Sequence, residues 1–335
     1  MATQLAAAIG GQSARKRAEE PGVLARASMT VVARLLAFLK LGRPHFLIGG
    51  FLLFGLGSVL GRAAGVGIDW QRYVWGQAVI TGAQWMTHYS NDYFDLDADR
   101  ANSTPTRWSG GSRVLVSGVV APRSALAAAV VLGVAAFIAA CSLAARPDSP
   151  PLVLPLALLI IVLSWCYSSP PLRLLRRGLG EVTTVLVVTL LTPLLGFYLQ
   201  AGEVRPLLFL ACFPLCCLQF CMLLTIELPD AMGDAAHGKR TLVVRRGDEW
   251  AARCAAAILV VTFGSLPVLF VLGLPALIAL FAALSAPLGL WQAVRLWRGA
   301  FREPRHWESL ALCSVALLAT TIVAELIAAM LPAAL

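Results

Sequence analysis

The sequence predicts an all-α membrane protein of nine transmembrane helices, with its N-terminus cytoplasmic and its C-terminus outside. Three observations carry that expectation. Of the 335 residues, 59% are hydrophobic and only 13% are charged, against roughly 25% charged in a soluble domain. The apolar residues gather into stretches near the ~20 residues that cross a hydrocarbon core. Taking the N-terminus and alternate loops as cytoplasmic puts 23 of the 27 Lys and Arg residues inside and 4 outside, the asymmetry expected of cytoplasmic loops. That tally explains the formal charge of +9 by topology, and no nucleic-acid or protein partner is inferred from it. It also requires an odd number of spans.

The elements follow in order. Residues 1 to 35 form a predicted disordered cytoplasmic tail, Ala-rich and polar, with Arg15, Lys16, Arg17, Glu19 and Glu20 ahead of Pro21. No secretory signal is expected, because the first strongly apolar stretch begins only near residue 44. Apolar stretches lie near 44–61, 74–91, 122–145, 151–168, 179–200, 206–226, 251–273, 275–294 and 309–333. They lack two-residue alternation, so helices rather than barrel strands satisfy their backbone in lipid. With no linker rich in Pro, Gly or Ser, residues 36–335 read as one transmembrane domain. Four cysteines in the sixth stretch, Cys212, Cys216, Cys217 and Cys221, read as small packing residues.

Charge concentrates in two long cytoplasmic loops. The second stretch runs into Asn91-Asp92-Tyr93-Phe94-Asp95-Leu96-Asp97-Ala98-Asp99. On an ideal helix Asp92, Asp95 and Asp99 share a face and Asp97 points away. The sixth stretch ends in Glu227-Leu228-Pro229-Asp230-Ala231-Met232-Gly233-Asp234, where the acids again share a face. Like charges ~6 Å apart repel by roughly 3 kcal/mol at an effective dielectric of 20, so each set calls for a cation. All-oxygen sets of this kind suit Mg²⁺ shared with a substrate phosphate. Basic residues follow both sets: Arg100, Arg107 and Arg113, then Lys239, Arg240, Arg245 and Arg246. Together they describe a diphosphate cradle, to which Ser109-Gly110-Gly111-Ser112 could add backbone amides. Glu325 stands in the middle of the last stretch, and Trp85, Trp108 and Trp165 near boundaries read as interfacial anchors.

These motifs resemble the UbiA superfamily of intramembrane prenyltransferases, whose Asn-Asp-x-x-Asp-x-x-x-Asp and Asp-x-x-x-Asp motifs follow helices two and six. Asn91, Asp92, Asp95 and Asp99 match the first, and Asp230 and Asp234 the second. The runs from Gly238 to Arg245, Tyr167 to Arg173 and Arg177 to Glu181 also resemble the family. Glu227 and Pro229 depart from it: many members have Asn and Arg there, and a proline predicts a different bend.

The resemblance implies a nine-helix UbiA-like bundle in the cell (inner) membrane, its active site facing the cytoplasm. It implies Mg²⁺ as cofactor, a polyprenyl diphosphate as donor and a small aromatic acceptor, with the region from Asn91 to Arg113 nearest the menaquinone branch of quinone biosynthesis. Acceptors of the 4-hydroxybenzoate, homogentisate, chlorophyllide or haem type are alternatives. Asp92, Asp95, Asp99, Asp230 and Asp234 are the implied metal ligands, and Asn91 orients a ligand. Arg113, Arg173, Lys239 and Arg240 are the phosphate candidates, and Tyr167 the residue beside the allylic carbon. His88, one turn before Asp92, reads as a polar neighbour of the acids, and His237 as solvated. A cation-coupled transporter is the rival from another class, disfavoured because such acids usually sit near the bilayer midplane.

Overall fold

A computed structural model describes residues 30–331 apart from 66, 103 and 104, and every regular element among them is helical. Helix α1 spans Val31–Leu41, started by Thr30, whose hydroxyl accepts from the Ala33 amide at 3.2 Å. Residues 31–35, at the end of the predicted tail, are helical, favoured by that cap and by the apolar run Val31, Val32, Leu35, Leu36. The rest of the tail, residues 1–29, lies outside the described residues.

Helix α2 is Pro44–Leu60 and α3 is Trp70–Phe94, the latter capped by Asp69, whose carboxylate accepts from the Gln71 and Arg72 amides. A short α4, Leu96–Ala101, follows directly. Then come α5 (Pro122–Ala144), α6 (Val153–Cys166), α7 (Gly180–Ala201) and α8 (Pro206–Glu227). Two short helices, α9 (Ala231–Ala236) and α10 (Leu242–Arg246), precede α11 (Asp248–Gly264), α12 (Leu266–Val271), α13 (Ala276–Ala283), α14 (Ala286–Trp297) and α15 (Pro304–Met330). Proline stands in the first turn of α2, α5, α8 and α15, where its missing amide costs nothing.

Each predicted apolar stretch coincides with helix. Six helical segments among the described residues are long and apolar enough to cross a membrane, and the pair α13–α14, bent by 45°, makes a seventh if it is one span. Helix α3 is not among the six because Gln77, Gln84, His88, Asn91 and Asp92 dilute its apolar surface. Helix α6 has only 14 residues.

The centre of the bundle is built from α2, α3, α7, α8 and α15, with Phe54, Phe197, Leu195 and Leu215 fully buried. Helices α2 and α7 nearly touch. A methyl group on Gly57 would lie 2.0 Å from the Pro193 carbonyl oxygen, and one on Gly196 2.5 Å from that of Phe54. Close backbone approach through small residues is how helices associate where lipid removes the hydrophobic drive. Within α7, residues Val185–Leu191 widen to a π-helical turn, because Pro193 cannot donate to the ladder. The Thr192 amide and hydroxyl both donate to the Val187 carbonyl, the hydroxyl at 2.9 Å.

Candidate active site

The first acidic motif does not continue one ideal helix. Helix α3 stops at Asp95 (φ −102°, ψ 5°), and α4 starts at the next residue. The three acids stay together, buried at 2%, 2% and 8% exposure for Asp92, Asp95 and Asp99. Asp97, as expected from its angle, has a side chain 89% exposed. Asp92 and Asp95 have partners from elsewhere in the chain. Asp92 accepts from the Arg43 guanidinium and from the hydroxyl and amide of Ser112. Asp95 accepts from the Asn91 amide group at 2.8 Å, and Asn91 also donates to the Ser168 hydroxyl at 2.7 Å.

The second motif reaches the same place from α8. Pro229 lies in a tight turn, Leu228–Asp230, that links α8 to α9. Asp230 accepts from Asn102 at 2.8 Å, from the Ser109 hydroxyl at 3.0 Å and from the Gly110 amide at 2.9 Å. Lys239 joins the motifs: its ammonium lies 3.2 Å from both Asp95 and Asp234. Burial alone would lower its pKa, but the pull of Asp95 and Asp234 outweighs burial and raises it.

The loop from Ser109 to Ser112 was expected to offer amides to a phosphate. Here the amides of Gly110 and Ser112 point to Asp230 and Asp92 instead, because buried carboxylates are the nearer acceptors. Gly111, at φ +76°, lets this loop pass so close to Asp99 that a methyl group would sit 2.1 Å from Asp99 Oδ2.

The basic candidates separate. Lys239 is within the cluster, and Arg113 donates to the Asp99 carbonyl. Arg173 and Arg240 are exposed, and no contact of either side chain with the acids occurs among the described residues. Arg176, three residues past Arg173, approaches instead, 3.8 Å from Asp95 and 3.0 Å from the Phe94 carbonyl. The tight turn Leu174–Arg177 selects which arginine faces inward. Arg43, held at φ +46° just ahead of Pro44, also reaches the acids, and no local pattern marked it. Tyr167 and Asn91 line a cavity of about 420 Å³ beneath the acids. Glu325 is fully buried without a hydrogen-bond partner and does not line that cavity.

The acids suit a hard divalent cation. They are all oxygen donors, and Asp95 Oδ1 is buried with no hydrogen bond. Burial, then the charge of Asp92, pushes the Asp99 carboxyl up to about 7, the response of a site rich in negative charge. Among the described residues no three acidic, His or Cys side chains are gathered tightly enough to hold a metal ion. The Lys239 and Arg43 cations lie against those acids instead.

Two acid-rich helix ends lie beside an apolar cavity in a bundle whose helices are long and apolar enough to cross a membrane. The UbiA prenyltransferase family matches residues 50–312, and the chain belongs to that family, an enzyme of prenyl-group transfer. Among curated relatives, a digeranylgeranylglyceryl phosphate synthase of Natronomonas pharaonis is 29% identical over 216 residues, 64% of this chain and 70% of that one. A UbiA homolog from Archaeoglobus fulgidus, bound to GPP and Mg²⁺, superimposes with a TM-score of 0.59 at 16% identity, over 86% of this chain and 99% of that one. The apo structure of a UbiA homolog from Aeropyrum pernix K1 gives 0.60 at 20% identity, over 83% and 97%. These likenesses establish the fold.

Proposed function

We propose that the chain transfers a prenyl group from a prenyl diphosphate to an acceptor dissolved in the membrane, with Mg²⁺ held between the two acidic motifs. The observation that carries this is their junction: Lys239 touches Asp95 of one motif and Asp234 of the other, and Asn91, which donates to Asp95, lines the cavity. Asp92, Asp95, Asp99, Asp230 and Asp234 would hold the ion, and Asn91 would steady Asp95. The ion supplies neutralisation of the charge that grows on the departing diphosphate.

The protein's own groups do the rest. Lys239, Arg113 and Arg176 surround the acids and would bind diphosphate oxygens, whereas the exposure of Arg173 and Arg240 speaks against that role for them. The apolar cavity wall holds the chain and excludes water from the allylic carbon, beside which Tyr167 offers an aromatic face. The C–O bond breaks with its electron pair going to diphosphate. The acceptor's nucleophilic atom forms the new bond to carbon, and its proton leaves to the diphosphate. A nine-span topology with the site on the cytoplasmic face of the cell membrane agrees with the bias in Lys and Arg.

The acceptor reading is a small aromatic ring, with quinone synthesis of the menaquinone type as the setting. The likeness to the Natronomonas synthase favours a second reading, a glyceryl phosphate lipid. The test is purified protein with Mg²⁺, a prenyl diphosphate and a panel containing 4-hydroxybenzoate, dihydroxynaphthoate and a glyceryl phosphate lipid. Diphosphate release that depends on one acceptor and is abolished by Asp95→Ala and Asp234→Ala supports the proposal; no product with any acceptor refutes it. Cation-driven uptake into vesicles that survives both substitutions would favour the transporter.

A further inference from the structure

Two carboxyl groups near the acidic motifs take no part in the chemistry above. Glu181, in the first turn of α7, is fully buried, and its Oε1 accepts from the Leu242 amide at the start of α10. Glu227, the last residue of α8, lies in hydrogen-bond contact with it. A hydrogen bond between two carboxyl groups needs a hydrogen on one of them, so a single proton joins the pair.

The segments that carry Glu181 and Leu242 meet a second time. Gly178, at φ +71°, passes so near the other segment that a methyl group there would lie 2.6 Å from the Arg240 carbonyl oxygen. Residues 178–181 therefore grip residues 240–242 twice, once by close packing and once by a hydrogen bond. Thr241 between them is buried, and its hydroxyl accepts from the Val244 amide at 3.3 Å, which leaves the Leu242 amide to Glu181.

Lys239 is the next residue back along the chain. Its backbone amide donates to the Asp234 carbonyl at 3.0 Å, and its ammonium stands 3.2 Å from both Asp95 and Asp234. A lysine ammonium rides on a flexible four-carbon stem, so it stays between two acids only where the backbone beneath it is fixed. The strap that does the fixing also carries Arg176, 3.8 Å from Asp95.

We propose that Glu181 is a positioning residue for Lys239, holding the segment from Lys239 to Leu242 against the acidic motifs through the Leu242 amide, with Glu227 bracing its carboxyl. Glu181 itself touches neither substrate nor metal. The inference rests on the prenyl-transfer reading, from which it takes a diphosphate as the ligand that Lys239 meets.

The test is equilibrium binding of geranyl diphosphate with Mg²⁺ to the full-length protein in detergent, run as a double-mutant cycle. Glu181→Leu should weaken binding about tenfold, the low end of what loss of a supporting residue costs. Glu181→Gln, which keeps an oxygen for the Leu242 amide and brings its own hydrogen for Glu227, should restore most of that loss. In a Lys239→Met background Glu181→Leu should cost nothing further, because no ammonium is left to place. Tm should fall alike in both backgrounds, so coupling in binding separates placement from packing. Unchanged binding in Glu181→Leu, or losses that multiply in the double variant, would overturn the assignment while leaving prenyl transfer intact. If Glu181→Leu fails to fold, Glu181→Asp, still charged but one methylene short of the Leu242 amide, decides by the same cycle. Wild-type protein that binds no geranyl diphosphate would refute the prenyl-transfer reading and this inference with it.

Discussion

Replacing Gly111 with alanine tests the acidic cluster without touching an acid. Gly111 has φ +76°, so alanine there first incurs about 1–2 kcal/mol of backbone strain. Its methyl group would then lie 2.1 Å from Asp99 Oδ2, where ordinary contact begins at 3.4 Å. The carboxylate must therefore retreat by about 1.3 Å, the difference of those two distances. Ligand distances in a metal site hold to within about 0.2 Å, so a displacement several times larger takes Asp99 out of reach. The expected result is a 10- to 100-fold rise in the Mg²⁺ concentration for half-maximal diphosphate release, the range seen when a metal site loses its supporting shell. Gly202→Ala is the control. It has a similar φ of +72° but nothing within 4 Å of the added methyl, so it incurs backbone strain alone and should leave the Mg²⁺ dependence unchanged. Equal Mg²⁺ dependence in the two variants would refute the placing of Asp99 in the metal site.

Three further outcomes follow from the same geometry. Because burial and Asp92 raise the Asp99 carboxyl to about 7, a proton competes with the metal below that pH. Mg²⁺ affinity should fall up to tenfold per pH unit from 7 to 6 and level off by pH 8, and an affinity flat across that window would contradict it. The sign for stability is opposite: a carboxyl raised in the fold stabilises the metal-free protein at low pH, and that contribution fades as pH climbs from near 4 to 7. Lys239→Met leaves Asp95 and Asp234 facing each other, so the metal-free protein should lose about 3 kcal/mol, most of it regained in saturating Mg²⁺; an equal fall in Tm with and without the ion would count against a shared site. Asp97→Asn, at a side chain 89% exposed, should change turnover less than twofold, whereas Asp95→Asn should lose at least a hundredfold; similar losses in both would show that burial does not select the working acids.

By itself the sequence determined what depends on neighbours along the chain. Runs of apolar residues near 20 long placed the helices, because lipid leaves backbone amides no other partner. Three- and four-residue spacing put Asp92, Asp95 and Asp99 on one side and Asp97 on the other, and Pro229 marked the turn after α8. Tertiary structure alone decided the contacts across the bundle. Lys239 bridges Asp95 from more than a hundred residues away, and Arg43 finds Asp92 across 49. Arg176 rather than Arg173 faces the acids because a tight turn rotates the loop. Periodicity along one helix carries no information about which side chains a second helix brings opposite it.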